Sequence, residues 1–177
     1  MKLPIRYYGH PDLRAKASPI EEITPAIVKL AQDMIETMIA SNGVGLAGPQ
    51  VGRRIRIFVR RFEGVTPEGK YYLGEPEVII NPILSNPSKE MVEMVEGCLS
   101  VPGLHVAVAR PKKIHLRYQN LKGEWIDEDL EDFLARCSMH ENDHLNGVLH
   151  VDRTSPNERK RIEPMLRAIK QKYTKTT

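Results

Sequence analysis

Residues 130–147 read Leu-Glu-Asp-Phe-Leu-Ala-Arg-Cys-Ser-Met-His-Glu-Asn-Asp-His-Leu-Asn-Gly, and this stretch decides how the rest of the chain is read. Leu130, Phe133, Leu134 and Cys137 recur at helical spacing, and Asn146-Gly147 supplies a stop, so a helix is predicted. Within it, His140-Glu141-Asn142-Asp143-His144 is an H-E-x-x-H motif. A four-residue step overshoots one helical turn by only about 40°, so both imidazoles share a face and can reach one divalent ion. Glu141 falls on the neighbouring face, within reach of a water on that ion without being a ligand, as a general acid/base requires. Two histidines a turn apart are also common as ordinary polar residues. Here they lie on an otherwise apolar face, where burying two imidazoles and a carboxylate unaccompanied costs on the order of several kcal/mol. A metal removes much of that cost.

Such an ion wants a third protein ligand and an open position, and a thiolate is the natural partner of two imidazoles. The chain has two cysteines, Cys98 and Cys137. Cys137 sits one turn before His140 on nearly the same face, so spacing permits it, although a free cysteine there is more ordinarily a small buried apolar residue. Cys98 lies in Glu96-Gly97-Cys98-Leu99-Ser100, a glycine-containing strand end with no packing reason for a thiol, and is preferred.

Working outward, residues 24–42 form an amphipathic helix: Thr24 caps it, Pro25 opens it, and Ile27, Leu30, Ala31, Met34, Ile35 and Met38 line one face. Residues 43–50, Gly-Val-Gly-Leu-Ala-Gly-Pro-Gln, are expected as a shaped loop that continues no regular structure. Strands are predicted at residues 55–61, 78–84, 91–95, 105–109, 114–119 and 124–129, with the turn at 120–123 joining the last two. Residues 62–76 read as a long exposed loop. A last helix opens with Ser155-Pro156-Asn157-Glu158 as a capping box and carries Ile162, Met165, Leu166, Ile169 and Tyr173 on one face, with Pro164 expected to kink or interrupt it. Without a repeated βαβ alternation, the pattern is α+β: mainly antiparallel strands packed around a central helix that carries H-E-x-x-H, with a C-terminal helix.

The 177 residues suit one domain spanning 1–177. A net charge of +3 against 28% charged residues gives no strong field for DNA. No run is long and apolar enough for a membrane, and two cysteines suit a reducing compartment, so a soluble cytoplasmic protein is expected.

The motifs together resemble peptide deformylase of the bacterial type: Gly43 to Gln50 is similar to that family's first motif, Glu96 to Ser100 to its second, and His140 to His144 to its third. The likeness runs from His10-Pro11-Asp12 through Asn81-Pro82 to the terminal helix. It implies removal of the N-formyl group from the N-terminal formyl-methionine of nascent polypeptides, releasing formate. It implies Cys98, His140 and His144 as ligands of one divalent ion, Fe(II) natively with Zn, Ni or Co able to replace it, and Glu141 as the proton carrier. The Gln50 side-chain amide and the Leu99 backbone N–H would stabilise the oxyanion. Val44, Gly45, Gly97 and His105 would line the substrate groove, and Glu96 would pair with Arg110 behind the metal. The basic terminal helix implies a ribosome contact. Gly48, Met139 and His105 depart from the family's usual alanine, glutamine and arginine. The rivals to this reading are a zinc endopeptidase, which shares H-E-x-x-H, and a non-catalytic module with a structural metal, which would need a fourth protein ligand.

Overall fold

The computed structural model describes residues 1–174; Lys175, the last base of the expected tail, lies outside the described residues. Helix α1 (Pro25–Ala40) begins where Thr24 accepts from the Ile27 N–H, with proline at its first turn. Then come β1 (Gly45–Ala47), a 3-10 turn at Gly48–Val51, β2 (Ile57–Arg60), β3 (Glu63–Val65), β4 (Tyr71–Leu73), β5 (Glu77–Ser85), β6 (Met91–Glu96), β7 (Val106–Pro111), β8 (Lys113–Gln119) and β9 (Trp125–Glu131). Helix α2 (Asp132–Leu145) starts directly off β9, a short 3-10 turn at His150–Asp152 follows, and α3 (Pro156–Thr174) ends the described chain. The α+β architecture is as read from the pattern.

The main sheet is antiparallel with strand order β1-β2-β5-β8-β9, while β3-β4 and β6-β7 form separate two-stranded ladders. Period-2 alternation sends its side chains to two cores. Phe58, Ile79, Leu116 and Tyr118 meet Ala135, Met139 and Leu145 of α2. Ile57, Val59 and Ile80 meet Met34 and Met38 of α1. Each fully buried side chain of this size contributes roughly 1.5–3 kcal/mol, so the sheet is clamped between two helices. A third core joins Val106 and Val108 of β7 to Ile162 and Leu166 of α3.

Asn81-Pro82 falls inside β5, where register shifts between Ile80 and Ile83. Asn81 adopts φ 50°, and its amide exchanges hydrogen bonds with the Ile20 backbone at 2.8 and 2.7 Å. Proline's missing donor costs nothing at such a bulge. Fully buried Arg60 donates to Glu77 (2.8 Å), Ser138 (2.7 Å) and Glu128 (2.7 Å), tying β2 to β5, α2 and β9. The turn at 120–123 closes through Gly123 N–H to the Asn120 carbonyl at 3.0 Å.

Four expectations need correction. The 43–50 segment, expected as a shaped loop outside regular structure, contains a strand: β1 pairs with β2 in the register Gly45↔Arg60, Leu46↔Val59, Ala47↔Phe58. Its glycines serve close packing rather than turning. Residues 62–76 contain the β3-β4 ladder, steadied by Phe62 against Tyr72 and Phe133 at centroid distances of 5.4 and 5.7 Å. Pro164 does not interrupt α3, because it and Lys160, whose carbonyl it leaves unpaired, both lie on the exposed face. Met165 is 44% exposed and falls outside the α3 seam that buries Ile162 and Leu166.

The departure at Gly48 has a local cause: a Cβ there would lie 2.7 Å from the Arg53 carbonyl oxygen and 2.9 Å from that of Ile55. Backbone cannot step aside as a flexible side chain can. Gly48→Ala should therefore lower stability by about 1–3 kcal/mol, as overpacking does. Urea unfolding measures it, and an unshifted midpoint would contradict the reading.

Candidate metal centre

Helix α2 is buried around most of its circumference, from Ala135 through Leu145, which forces polar residues into the interior. His140 and His144 lie one turn apart and meet edge to face, their ring centroids separated by 5.1 Å at an interplanar angle of 65°. Cys98 follows β6 by two residues, in a turn closed by Val101 N–H on the Cys98 carbonyl at 3.0 Å. Its Sγ stands 3.4 Å from His144 Nε2. One ligand atom each from Cys98, His140 and His144 lies within 4.8 Å of the other two. Cys137 is elsewhere: its thiol donates to the Val44 carbonyl at 3.6 Å, and burial pushes its pKa well up, so it is the small apolar residue of its ordinary reading.

The donor set fits a divalent cation. Burial disfavours a charged His140, yet its hydrogen bonds with Cys98 and Glu96 outweigh that and raise its pKa well above the usual value. The negative groups that hold a proton there suit a cation equally. His144 is pushed the other way, by burial and then by His140, and so stays neutral, the form in which imidazole ligates. Nε2 of His144 faces the thiol, while its Nδ1 is buried without a hydrogen-bond partner in the described structure.

Behind the ligands, Glu96 at the end of β6 accepts from His140 Nδ1 (2.9 Å), leaving Nε2 of that ring for the centre. Arg110 reaches Glu96 with two donors at 2.7 and 3.0 Å, and Asp143 with a third at 2.9 Å. The expected Glu96–Arg110 pair is thus formed. Burial would raise the Glu96 pKa, but its bonds from His140 and Arg110 overcome that and hold the carboxyl well below the usual range. Arg136 also donates to Glu96, and Arg153 to Asp143. Neither was picked out from the sequence, although Arg136 stands four residues before His140 and therefore on its face.

Glu141 is 4% exposed, and burial pushes its pKa up to about 7. One carboxylate oxygen lies 4.0 Å from His140 Nε2; the other is buried with no partner in the described structure. A carboxyl that exchanges its proton near neutrality suits general acid/base work. Gly45 makes room for it: a Cβ at that position would sit 2.4 Å from Glu141 Oε1.

Gln50 is 1% exposed, and its orientation is fixed at both ends of its amide. Oε1 accepts from Ala47 N–H at 2.8 Å, which turns Nε2 towards Ser100 Oγ at 3.0 Å and Cys98 Sγ at 3.7 Å. Ser100, missed in the sequence, is therefore the side chain that aims this amide. Leu99 packs into the space left by Gly43, where a Cβ would meet its Cδ1 at 2.8 Å. Val44 is half-buried and accepts from Arg61 N–H at 2.9 Å. Gly97 is exposed beside the exposed His105, whose ring would lie 2.9 Å from a Cβ at Gly97. Met139 is buried in the core between α2 and the sheet.

Known proteins resemble this chain in sequence and in fold. The family model described as polypeptide deformylase matches residues 2–160. The peptide deformylase of Chlorobaculum parvum is 42% identical over 178 aligned residues, covering 100% of this chain and 92% of that protein. That of Salinibacter ruber is 41% identical, covering 96% of this chain and 89% of its own. Among solved structures, the peptide deformylase of Thermotoga maritima superposes with a TM-score of 0.79 at 42% identity, covering 88% of this chain and 99% of its own. A plant peptide deformylase gives a TM-score of 0.89 at 34% identity, covering 99% and 92%. The chain belongs to the polypeptide deformylase family.

Proposed function

We propose that residues 1–177 form one catalytic domain that hydrolyses the formamide of N-formyl-methionyl chains, with Cys98, His140 and His144 holding the metal and Glu141 moving the proton. The chain is a metal-dependent hydrolase of the peptide deformylase type. The observation that carries the assignment of roles is the convergence of three ligand atoms within 4.8 Å beside a buried, unpartnered carboxylate oxygen.

A divalent ion held by these residues supplies Lewis acidity, making water a nucleophile near neutral pH and drawing charge from a carbonyl oxygen. Glu141 takes a proton from the attacking water as the new C–O bond forms at the formyl carbon. Gln50 Nε2, aimed by Ala47 and Ser100, and the Leu99 N–H donate to the formyl oxygen as it gains charge. When the C–N bond breaks, Glu141 passes its proton to the leaving nitrogen, and formate and a free amine result. Val44, Gly45, Gly97 and His105 border the path of the peptide.

The native ion in this reading is Fe(II), for which zinc, nickel and cobalt can substitute; a thiolate with two imidazoles accepts all of them. Protein purified without oxygen should contain about one iron per chain, and Glu141→Gln should keep the metal while formate release from formyl-methionyl peptides falls by a factor of roughly 10² or more. Near-normal turnover in that variant would overturn the role of Glu141.

The substrate is the nascent chain, so the setting is the cytoplasm, in keeping with two free cysteines. Among the described residues no helix is long and apolar enough to cross a membrane. Helix α3 offers the ribosome the exposed Lys160, Lys170 and Lys172. Reversing these charges to glutamate should weaken co-sedimentation with ribosomes and flatten its salt dependence, with formate release from short peptides unchanged. Equal co-sedimentation at all salt concentrations would remove the ribosome from the reading.

A further inference from the structure

The centre is assembled from two separate pieces of the fold. His140 and His144 belong to α2, whereas Cys98 hangs from the end of β6, a strand that among the described residues pairs only with β7. One backbone bond, from the Asp132 N–H to the Lys112 carbonyl at 3.0 Å, ties the start of α2 to the residue after β7; beside the ligands, about two turns along the helix, the contacts between helix and hairpin are made by side chains.

Arg136 is placed to do this. Its side chain is 13% exposed, and it spans three acceptors on the hairpin: Nη1 donates to Glu96 Oε2 at 2.6 Å and to the Val108 carbonyl at 2.9 Å, and Nη2 donates to the Val92 carbonyl. One guanidinium on α2 thereby grips both β6 and β7. One turn along the same helix face, His140 Nδ1 bonds the other oxygen of the same Glu96 carboxylate at 2.9 Å. Arg136 and His140 thus close on Glu96 from α2 while Arg110 closes on it from β7. A planar fork with donors on several edges can satisfy three acceptors at once; a lysine ammonium at the end of a flexible stem cannot hold that geometry.

We infer that Arg136 is a positioning residue for the metal centre: it locks the β6-β7 hairpin to α2 and so fixes the spacing of Cys98 from His140 and His144. It touches neither the substrate nor the ion. Its action passes through Glu96, which orients the His140 ring, and through the hairpin that carries the thiol. The inference rests on the reading of Cys98, His140 and His144 as ligands.

The test compares wild type, Arg136→Met and Arg136→Lys, each loaded with zinc and challenged with excess chelator, with zinc release followed by a chromogenic indicator. The Tm of each metal-free protein is recorded beside it. Zinc should leave Arg136→Met at least about tenfold faster than wild type, in line with the loss of an outer partner of a ligand. Arg136→Lys should fall between the two, because it keeps the charge and loses the fork. If the methionine variant does not fold, the lysine variant carries the comparison alone. Wild-type release rates in the variants, whether or not the metal-free Tm drops, would assign Arg136 to stability alone and overturn the proposal. A wild-type chain that binds no zinc would take down the ligand reading itself, and this proposal with it.

Discussion

Glu96 is a carboxylate with 7% of the residue exposed, ionised, and surrounded by donors from three side chains: His140 and Arg136 on α2 and Arg110 on β7. Taking such a charge out of water costs several kcal/mol on the usual scale and is sustained only when nearly every lone pair is met. That requirement is what orders the centre. To satisfy Glu96, the helix must sit at one height against the hairpin, the His140 ring must turn its Nε2 inward, and Arg110 must reach across to Asp143. Removing one member leaves the others as unmet buried charges, so the polar interior is specified as a set.

The main sheet provides the platform on which that set can be strict. With α1 on one face and α2 on the other, β1, β2 and β5 have side chains committed in both directions, and Arg60 fastens four elements through the sheet's interior. Glycine is used here for proximity. At Gly45 the strand approaches α2 so closely that the Glu141 carboxylate occupies the volume a side chain would need, and at Gly48 the chain folds onto its own carbonyls.

The two long helices and, β1 apart, the strands of the large sheet were legible because their signals are local: the Thr24 cap, the Asn120–Gly123 turn, the apolar cluster of β5 and the alternation along β8. The ligand pair was legible because a four-residue spacing on a helix fixes a shared face. The third ligand needed a reason for a thiol at Cys98, which spacing alone does not give. Illegible were the interactions that join distant segments. Nothing local says that Arg60 is an interior bolt, that Arg136 reaches back to Val92, or that Ser100 aims Gln50. The 43–50 segment misled because its composition, read as a shaped loop outside regular structure, reflects a strand packed too tightly for larger side chains. The ladder in 62–76 was hidden because its strands are three residues each and mostly exposed, leaving no alternation to detect.

The near-complete enclosure of α2 has a dynamic side. A helix packed on the sheet, on β9 and on the polar interior can open only when much of the molecule opens, whereas a two-stranded ladder held largely by side chains can breathe by itself. The two halves of the centre should then differ in their fluctuations, with amide protons of β6 expected to exchange with solvent faster than those of α2. Imidazoles ride the more enclosed body and sulfur the hairpin, so the side chains that bridge the two, Arg136 and His140 on Glu96, carry the approach of Cys98.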